Sequence, residues 1–176
     1  MVITPEYKEL LIKEHKKFIN WGAHAGKYKP TKINEVAIPK NVKTILDYGC
    51  GKGSLKQYMN EMYPNYLITE YDPGIEGKDT PPESADMVVC FDVLEHVEYE
   101  CVDAVIKDLR RLTKTVLMAD VCSVPAGKIL LDGRNSHLIQ EHGDWWVSKF
   151  TKYFDFEYKS SWDKGLVAVM VPKGTV

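Results

Sequence analysis

Long hydrophobic runs are missing from this 176-residue sequence. None approaches the ~18 consecutive apolar residues that a membrane helix needs, so no membrane partner is expected. The opening residues Met1-Val2-Ile3-Thr4-Pro5-Glu6 carry no basic stretch leading into an apolar one, and the expectation is a chain without a secretory signal. Cysteine is scarce and scattered. Cys50, Cys90, Cys101 and Cys122 form no CxxC pair, which suggests neither a zinc site nor a redox motif; no metal is expected. Three of the four sit in or beside apolar runs and read as buried free thiols of a cytoplasmic protein. There is no internal repeat and no low-complexity segment. A net charge of −2 gives no bulk signal for a nucleic-acid partner, while 44% hydrophobic residues are enough to build a core and too many for a disordered chain.

The charge is unevenly spread. Residues 1–43 hold nine lysines against four glutamates, and residues 68–103 hold eleven acids against the single base Lys78. Such a separation can steer an anionic ligand toward the basic arm, or it can merely solvate an outer helix face.

Local patterns divide the chain. Thr4 and Pro5 suit an N-cap and a first helical position, and Tyr7, Leu11, His15 and Phe18 then share one face of a helix running to about Asn20. Gly22 to Asn41, with Gly26, Pro30 and Pro39, reads as an irregular arm. From Lys43 onward strands and helices alternate: strands at 44–47, 66–71, 87–91 and 115–119, helices at 54–62, 101–112 and 144–152. Two closing strands, 154–159 and 166–171, are joined by the turn signal Asp163-Lys164-Gly165. Met87-Val88-Val89-Cys90-Phe91 is apolar throughout, as suits a central strand covered on both faces. This alternation predicts a mostly parallel α/β sheet with an antiparallel hairpin at one edge. Residues 1–42 are expected to form an N-terminal helix and lid-like arm, and 43–176 the main domain.

The most informative stretch is Leu46-Asp47-Tyr48-Gly49-Cys50-Gly51-Lys52-Gly53. Glycines there allow a tight strand-to-helix turn and close approach of a ligand to the backbone. A dinucleotide fingerprint needs its third glycine at position 54, which is Ser54; a P-loop needs Gly-Lys-Ser/Thr, which Gly51-Lys52-Gly53 does not supply. The pattern is D-x-G-x-G-x-G.

That loop, the acid Asp72 after the next strand, and the run Cys90-Phe91-Asp92-Val93-Leu94-Glu95-His96-Val97 together resemble the class I S-adenosylmethionine-dependent methyltransferases over residues 43–172. The resemblance implies a Rossmann-like, mostly parallel sheet with helices on both faces, S-adenosyl-L-methionine as cofactor, and ligand binding at the strand carboxyl ends. It implies that Gly49, Gly51 and Gly53 bring backbone beneath the cofactor, with Tyr48, Cys50, Pro73 and Val93 beside them. Asp47 would orient the loop or receive the methionine ammonium, Asp72 would receive the ribose hydroxyls, and Asp92 would face the methyl. One departure stands out: only 13 residues separate Asp72 from Asp86, too few for a helix and a strand, so the family's third strand is expected to be shortened or missing. Asp79 is then the one replacement for the family's adenine-reading residue.

Methyl transfer from a sulfonium needs alignment and a dry site, and needs a base only where the acceptor loses a proton. Asp92, His96 and His137 are the catalytic candidates. Arg134, Asn135 and Trp145, with Trp21 closing from the N-terminal side, are the acceptor-binding candidates; one of Trp145 and Trp146 should be core. The Asp92-Val93-Leu94-Glu95 run is not the Asn/Asp-Pro-Pro-aromatic tetrad of DNA amino-methyltransferases. The expected function is therefore methyl transfer to an oxygen or nitrogen of a small molecule. The alternatives are a non-catalytic cofactor-binding regulatory subunit, a nucleic-acid methyltransferase using the basic arm, and a nicotinamide-dependent oxidoreductase.

Overall fold

The structure is a computed structural model and describes residues 1–19, 21–22 and 29–174. Its frame is a six-stranded sheet: β1 (Thr44–Tyr48), β2 (Leu67–Tyr71), β3 (Ala85–Phe91), β4 (Thr113–Cys122), β5 (Phe154–Trp162) and β6 (Gly165–Pro172), ordered β2-β1-β3-β4-β6-β5. The first four strands are parallel; β6 runs antiparallel to β4 and β5 closes the edge as a hairpin. The Rossmann-like sheet and the terminal hairpin are as expected. So is the trimmed edge: β2 is the outermost strand on its side, and residues 72–84 cross directly to the middle of the sheet without adding another.

Period-two alternation puts side chains on both faces. Leu46 and Tyr48 of β1 enter one core with α4 (Val102–Leu112) and α5 (Gly143–Phe150). Ile45 enters the other, against α2 (Pro30–Ala37) and α3 (Ser54–Met62). β3, apolar from Met87 to Phe91, serves both cores, as that run of buried residues requires. On α4, Val102, Val105, Ile106, Leu109 and Leu112 form one buried stripe.

Two expectations need correction. The arm read as irregular contains α2, which is followed by a 3-10 turn, Ile38–Lys40. Pro30 stands at its first position, where proline's missing N–H costs nothing; it starts a helix there instead of breaking one. The first helix, α1, spans Pro5–Lys17 and ends short of Asn20, with Phe18 already in extended backbone as its C-cap; at its start the Thr4 hydroxyl accepts from Tyr7 N at 3.2 Å. It lies over the carboxyl ends of the strands, where Thr4 donates to Glu98 through N (2.8 Å) and Oγ1 (2.7 Å), and Tyr7 Oη donates to His96 O at 2.9 Å. Ala23, His24 and Gly26 of the expected arm lie outside the described residues.

Four of the nine lysines of the basic arm pair with carboxylates elsewhere in the chain. Lys8 pairs with Asp79 (2.8 Å), Lys16 with Glu76 (3.0 Å), Lys29 with Asp120 and Lys40 with Glu157 (2.6 Å). The first two of these bring the lysine-rich segment onto the acid-rich one.

Candidate functional site

The loop after β1 turns on left-handed glycines: Gly49, Gly51 and Gly53 have φ of 79°, 51° and 82°. A Cβ at Gly49 would run into the Val93 methyls, and one at Gly51 would meet Gly22 O at 2.5 Å. Both positions therefore need glycine for space as well as for backbone conformation. Asp72 organises this loop. Its Oδ2 accepts from Gly51 N and its Oδ1 from Gly74 N, both at 2.9 Å. Each oxygen keeps a further lone pair, so the carboxylate still has acceptor capacity.

Two cavities open at this rim. The first is walled by Tyr7, Leu11 and His15 of α1, by Tyr48 and Gly51, and by Asp72, Pro73, Val93 and Val97. The second holds Asp47, Cys50, Phe91, Lys128, Ser136 and His137. They meet at Trp21, Gly22, Gly49, Asp92 and His96, which border both. Trp21 stacks on His15 (centroids 4.6 Å apart) and stands edge-on to His96 at 6.1 Å. Gly22 O accepts from Lys52 N at 3.1 Å, which lays the Trp21–Gly22 turn directly over the glycine loop.

Asp92 sits at the junction in a strained state. Its φ of 57° is left-handed, uncommon for a residue with a side chain, and its N donates to Asp120 Oδ1 at 2.9 Å. Strain of this kind, about 1–2 kcal/mol, persists where surrounding structure imposes it, and it gathers at functional sites. The two histidines have fixed orientations. His96 Nδ1 lies 2.6 Å from Ser136 O and His137 Nδ1 lies 2.6 Å from Val124 O. A carbonyl only accepts, so in each ring Nδ1 carries a proton, and it is Nε2 that holds the lone pair when the ring is neutral. The rings meet edge to face at 4.8 Å. Burial lowers His96 to about 4, with its bond to Ser136 opposing and His137 reinforcing the shift, so His96 is neutral at physiological pH. Burial also raises Asp47 to about 7, with Glu70 adding to the rise and Lys78 opposing it.

Of the residues singled out from sequence, Asp47, Tyr48, Gly49, Cys50, Gly51, Asp72, Pro73, Asp92, Val93, His96, His137 and Trp21 border one cavity or the other. Five others do not. Gly53 caps α3 in a left-handed turn against Glu70 and Lys78. Arg134 pairs with Asp132 at 2.7 Å and lies over the outer face of Tyr7. Asn135 turns inward on its own loop, bonding Ala126 N (3.0 Å), Ala126 O (2.8 Å) and His137 N (2.9 Å). Trp145 packs on Tyr99 and on the fully buried Trp146. Asp79 is held by Lys8 away from both cavities. Three groups on the walls escaped the sequence reading: the α1 face, Phe91 and Lys128. The Tyr7/Leu11/His15 spacing was the available signal for the first, since that face had to pack on something.

Residues 21–156 match a family described as a methyltransferase domain. No curated protein matches the chain. Among solved structures, the fold is similar to that of the 1,6-didemethyltoxoflavin-N1-methyltransferase of Burkholderia thailandensis, determined with 1,6-didemethyltoxoflavin and S-adenosylhomocysteine bound. The match has a TM-score of 0.69 at 14% identity and covers 96% of this chain and 90% of that one. It is similar also to the N-methyltransferase NodS of Bradyrhizobium japonicum WM9 in complex with S-adenosylhomocysteine, with a TM-score of 0.59 at 12% identity, over 96% of this chain and 98% of that one.

Proposed function

This chain belongs to the methyltransferase-domain family, and we propose that it transfers the methyl group of S-adenosylmethionine to a nitrogen or oxygen of a small molecule held beside His96 and His137. The observation that carries this reading is the pair of cavities meeting at Asp92 and His96, with Asp72 on the wall of the first and Asp47 on that of the second. The residues fit the cofactor. The first cavity joins apolar walls, suited to a purine, to Asp72, whose free lone pairs suit ribose hydroxyls. The second places Asp47 on the far side of Gly49, suited to the methionine ammonium. When bound, the cofactor supplies an already activated methyl group. The two similar structures described above carry S-adenosylhomocysteine, its demethylated product.

The protein's own part is alignment, exclusion of water and handling of one proton. In this reading Trp21 and Gly22 cover the junction, and residues 1–42 serve as the cover over the 43–176 domain. Neutral His96 presents Nε2 to an acceptor N–H or O–H and takes up its hydrogen bond, while the Ser136 carbonyl holds the ring in place. A small acceptor is favoured over a nucleic acid because four of the arm's nine lysines, Lys8, Lys16, Lys29 and Lys40, are engaged by carboxylates elsewhere in the chain.

Calorimetry with S-adenosylhomocysteine, followed by an acceptor screen with labelled S-adenosylmethionine, tests the reading. Binding should be one-to-one, and Asp72→Ala should weaken it by about 1.5–3 kcal/mol, the loss for hydrogen bonds to a charged group. No binding by folded protein would refute the cofactor assignment. Binding without turnover on any acceptor would favour a regulatory role.

A further inference from the structure

Behind the His137 wall lie two groups, Glu95 and Cys122, that the proposed methyl transfer does not use. Glu95, on the 3-10 turn Leu94–His96 after β3, is completely buried. Its Oε1 accepts from Cys122 N at 2.8 Å, but its Oε2 is buried and receives no hydrogen bond. An orphaned buried carboxylate oxygen costs about 1–3 kcal/mol, and more when charged. Burial, helped by the neighbouring Asp92 carboxylate, holds the Glu95 acid well above the usual range. Around that carboxyl group stand the thiol of Cys122, the last residue of β4, and the imidazole of His137. A carboxylate oxygen, the sulfur and a ring nitrogen lie within 4.8 Å of one another.

We propose that Glu95, Cys122 and His137 bind a divalent transition-metal ion of the zinc class. The donor set decides the class: thiolate, imidazole and carboxylate suit zinc, whereas magnesium and calcium demand oxygen ligands. The bond from His137 Nδ1 to the Val124 carbonyl is the support usually found behind a metal-binding imidazole. It fixes the tautomer and leaves Nε2 as the donor. Bonds of about 2.0–2.3 Å to zinc would set ligand atoms roughly 3.3–3.8 Å apart, so the cluster must tighten by about 1 Å, within reach of side-chain rotation. On binding, the thiol and the carboxylic acid release their protons to solvent and the metal takes both lone pairs. Three protein ligands leave a fourth position open. Sequence spacing gives no sign of this site, because its ligands come from three separate segments and no two are close in the chain.

The test uses the full chain, stripped by chelator under reducing conditions and then dialysed against Zn2+ or Co2+. One ion should be retained per chain, and Co2+ should show a sulfur-to-metal charge-transfer band. Cys122→Ser should abolish that band and weaken Zn2+ binding by more than the roughly 10–100-fold that loss of an outer partner costs. His137→Ala should also weaken it, while Cys101→Ser should change neither readout. Circular dichroism checks that each variant is folded, and Cys122, only half-buried, is the substitution least expected to disturb the core. Substoichiometric metal in the wild type, or a Cys122→Ser protein that binds Zn2+ as tightly, overturns the proposal. S-adenosylhomocysteine binding measured on the same samples separates failure here from failure of the methyltransferase reading.

Discussion

The two cavities share a border yet are held in shape by different means. The walls of the first are set by the turn itself: left-handed glycines, Gly49 N and Cys50 N both donating to Tyr71 O, and Asp72 clasping Gly51 N and Gly74 N. The walls of the second depend on side chains that bond to loop backbone. His96 reaches Ser136, His137 reaches Val124, and Asn135 clamps Ala126. The second is also the larger, about 310 Å3 against about 120 Å3, which suits the acceptor place proposed for it. A turn whose shape is intrinsic to its backbone tolerates no new atom. A loop pinned by side chains can lose one tie and relax. Substitutions in the first region should therefore abolish binding, and substitutions in the second should grade activity.

The largest effect is expected at Gly49. Gly49→Ala places a Cβ against the Val93 side chain on a backbone with φ of 79°. Overpacking and left-handed strain each cost about 1–3 kcal/mol. The melting temperature should fall by several degrees and calorimetric binding of S-adenosylhomocysteine should vanish. A variant that still binds would show that the turn gives way more than its packing implies.

Next comes pH, through Asp47, which faces Glu70, Asp72 and Lys78. The folded protein holds the Asp47 proton up to about pH 7, the unfolded chain only to 3.8, so the ligand-free fold loses stability as pH rises across that window. Cofactor binding should show the opposite trend, because only the ionised carboxylate attracts an ammonium. Affinity for S-adenosylhomocysteine should tighten about tenfold between pH 6 and pH 8, and Asp47→Asn should flatten the profile. A wild-type profile already flat would remove Asp47 from the ammonium site.

Asn135→Ala tests the second region. It removes three hydrogen bonds that close the loop but touches neither cavity. Stability should drop by about 1–2 kcal/mol, with cofactor affinity unchanged and KM for the acceptor raised. Weaker cofactor binding in this variant would mean that the two regions are not separable.

The same contrast explains what was legible in the sequence. Residues 46–53 announce themselves because strand, turn and helix are consecutive, and each glycine answers a local need. The missing strand was legible too, since 13 residues between Asp72 and Asp86 set a limit on length alone. The helix at Pro30–Ala37 was not, because proline reads as a breaker until its place at the first turn is known. The walls of the second cavity were legible only in part. Trp21, His96 and His137 could be placed at the rim, but a polar side chain in a loop gives no sign of whether it faces a ligand or its own backbone. Asn135 faces the backbone. Lys128 and the α1 face reach the rim through contacts between distant segments, for which neighbouring residues carry no pattern.

The smallest effect is expected at Arg134, and it sharpens the boundary of the acceptor site. By composition the Arg134-Asn135-Ser136-His137 segment looks uniformly suited to hold a polar acceptor. The structure divides it: His137 borders the second cavity, whereas Arg134 turns outward to Asp132 and over Tyr7. The Arg134 side chain is 47% exposed, so its ion pair is screened and contributes little, on the order of 0–1 kcal/mol. The guanidinium over the Tyr7 ring adds at most about 0.5–1 kcal/mol at an exposed site. Arg134→Ala should accordingly lower the melting temperature by a few degrees at most, and leave both kcat and KM for the acceptor within about twofold of wild type. Steady-state kinetics on a confirmed acceptor decides the matter. A large rise in KM would show that the outward pose of Arg134 is not the one the acceptor meets, and would extend the acceptor site past Tyr7 onto the outer face of α1.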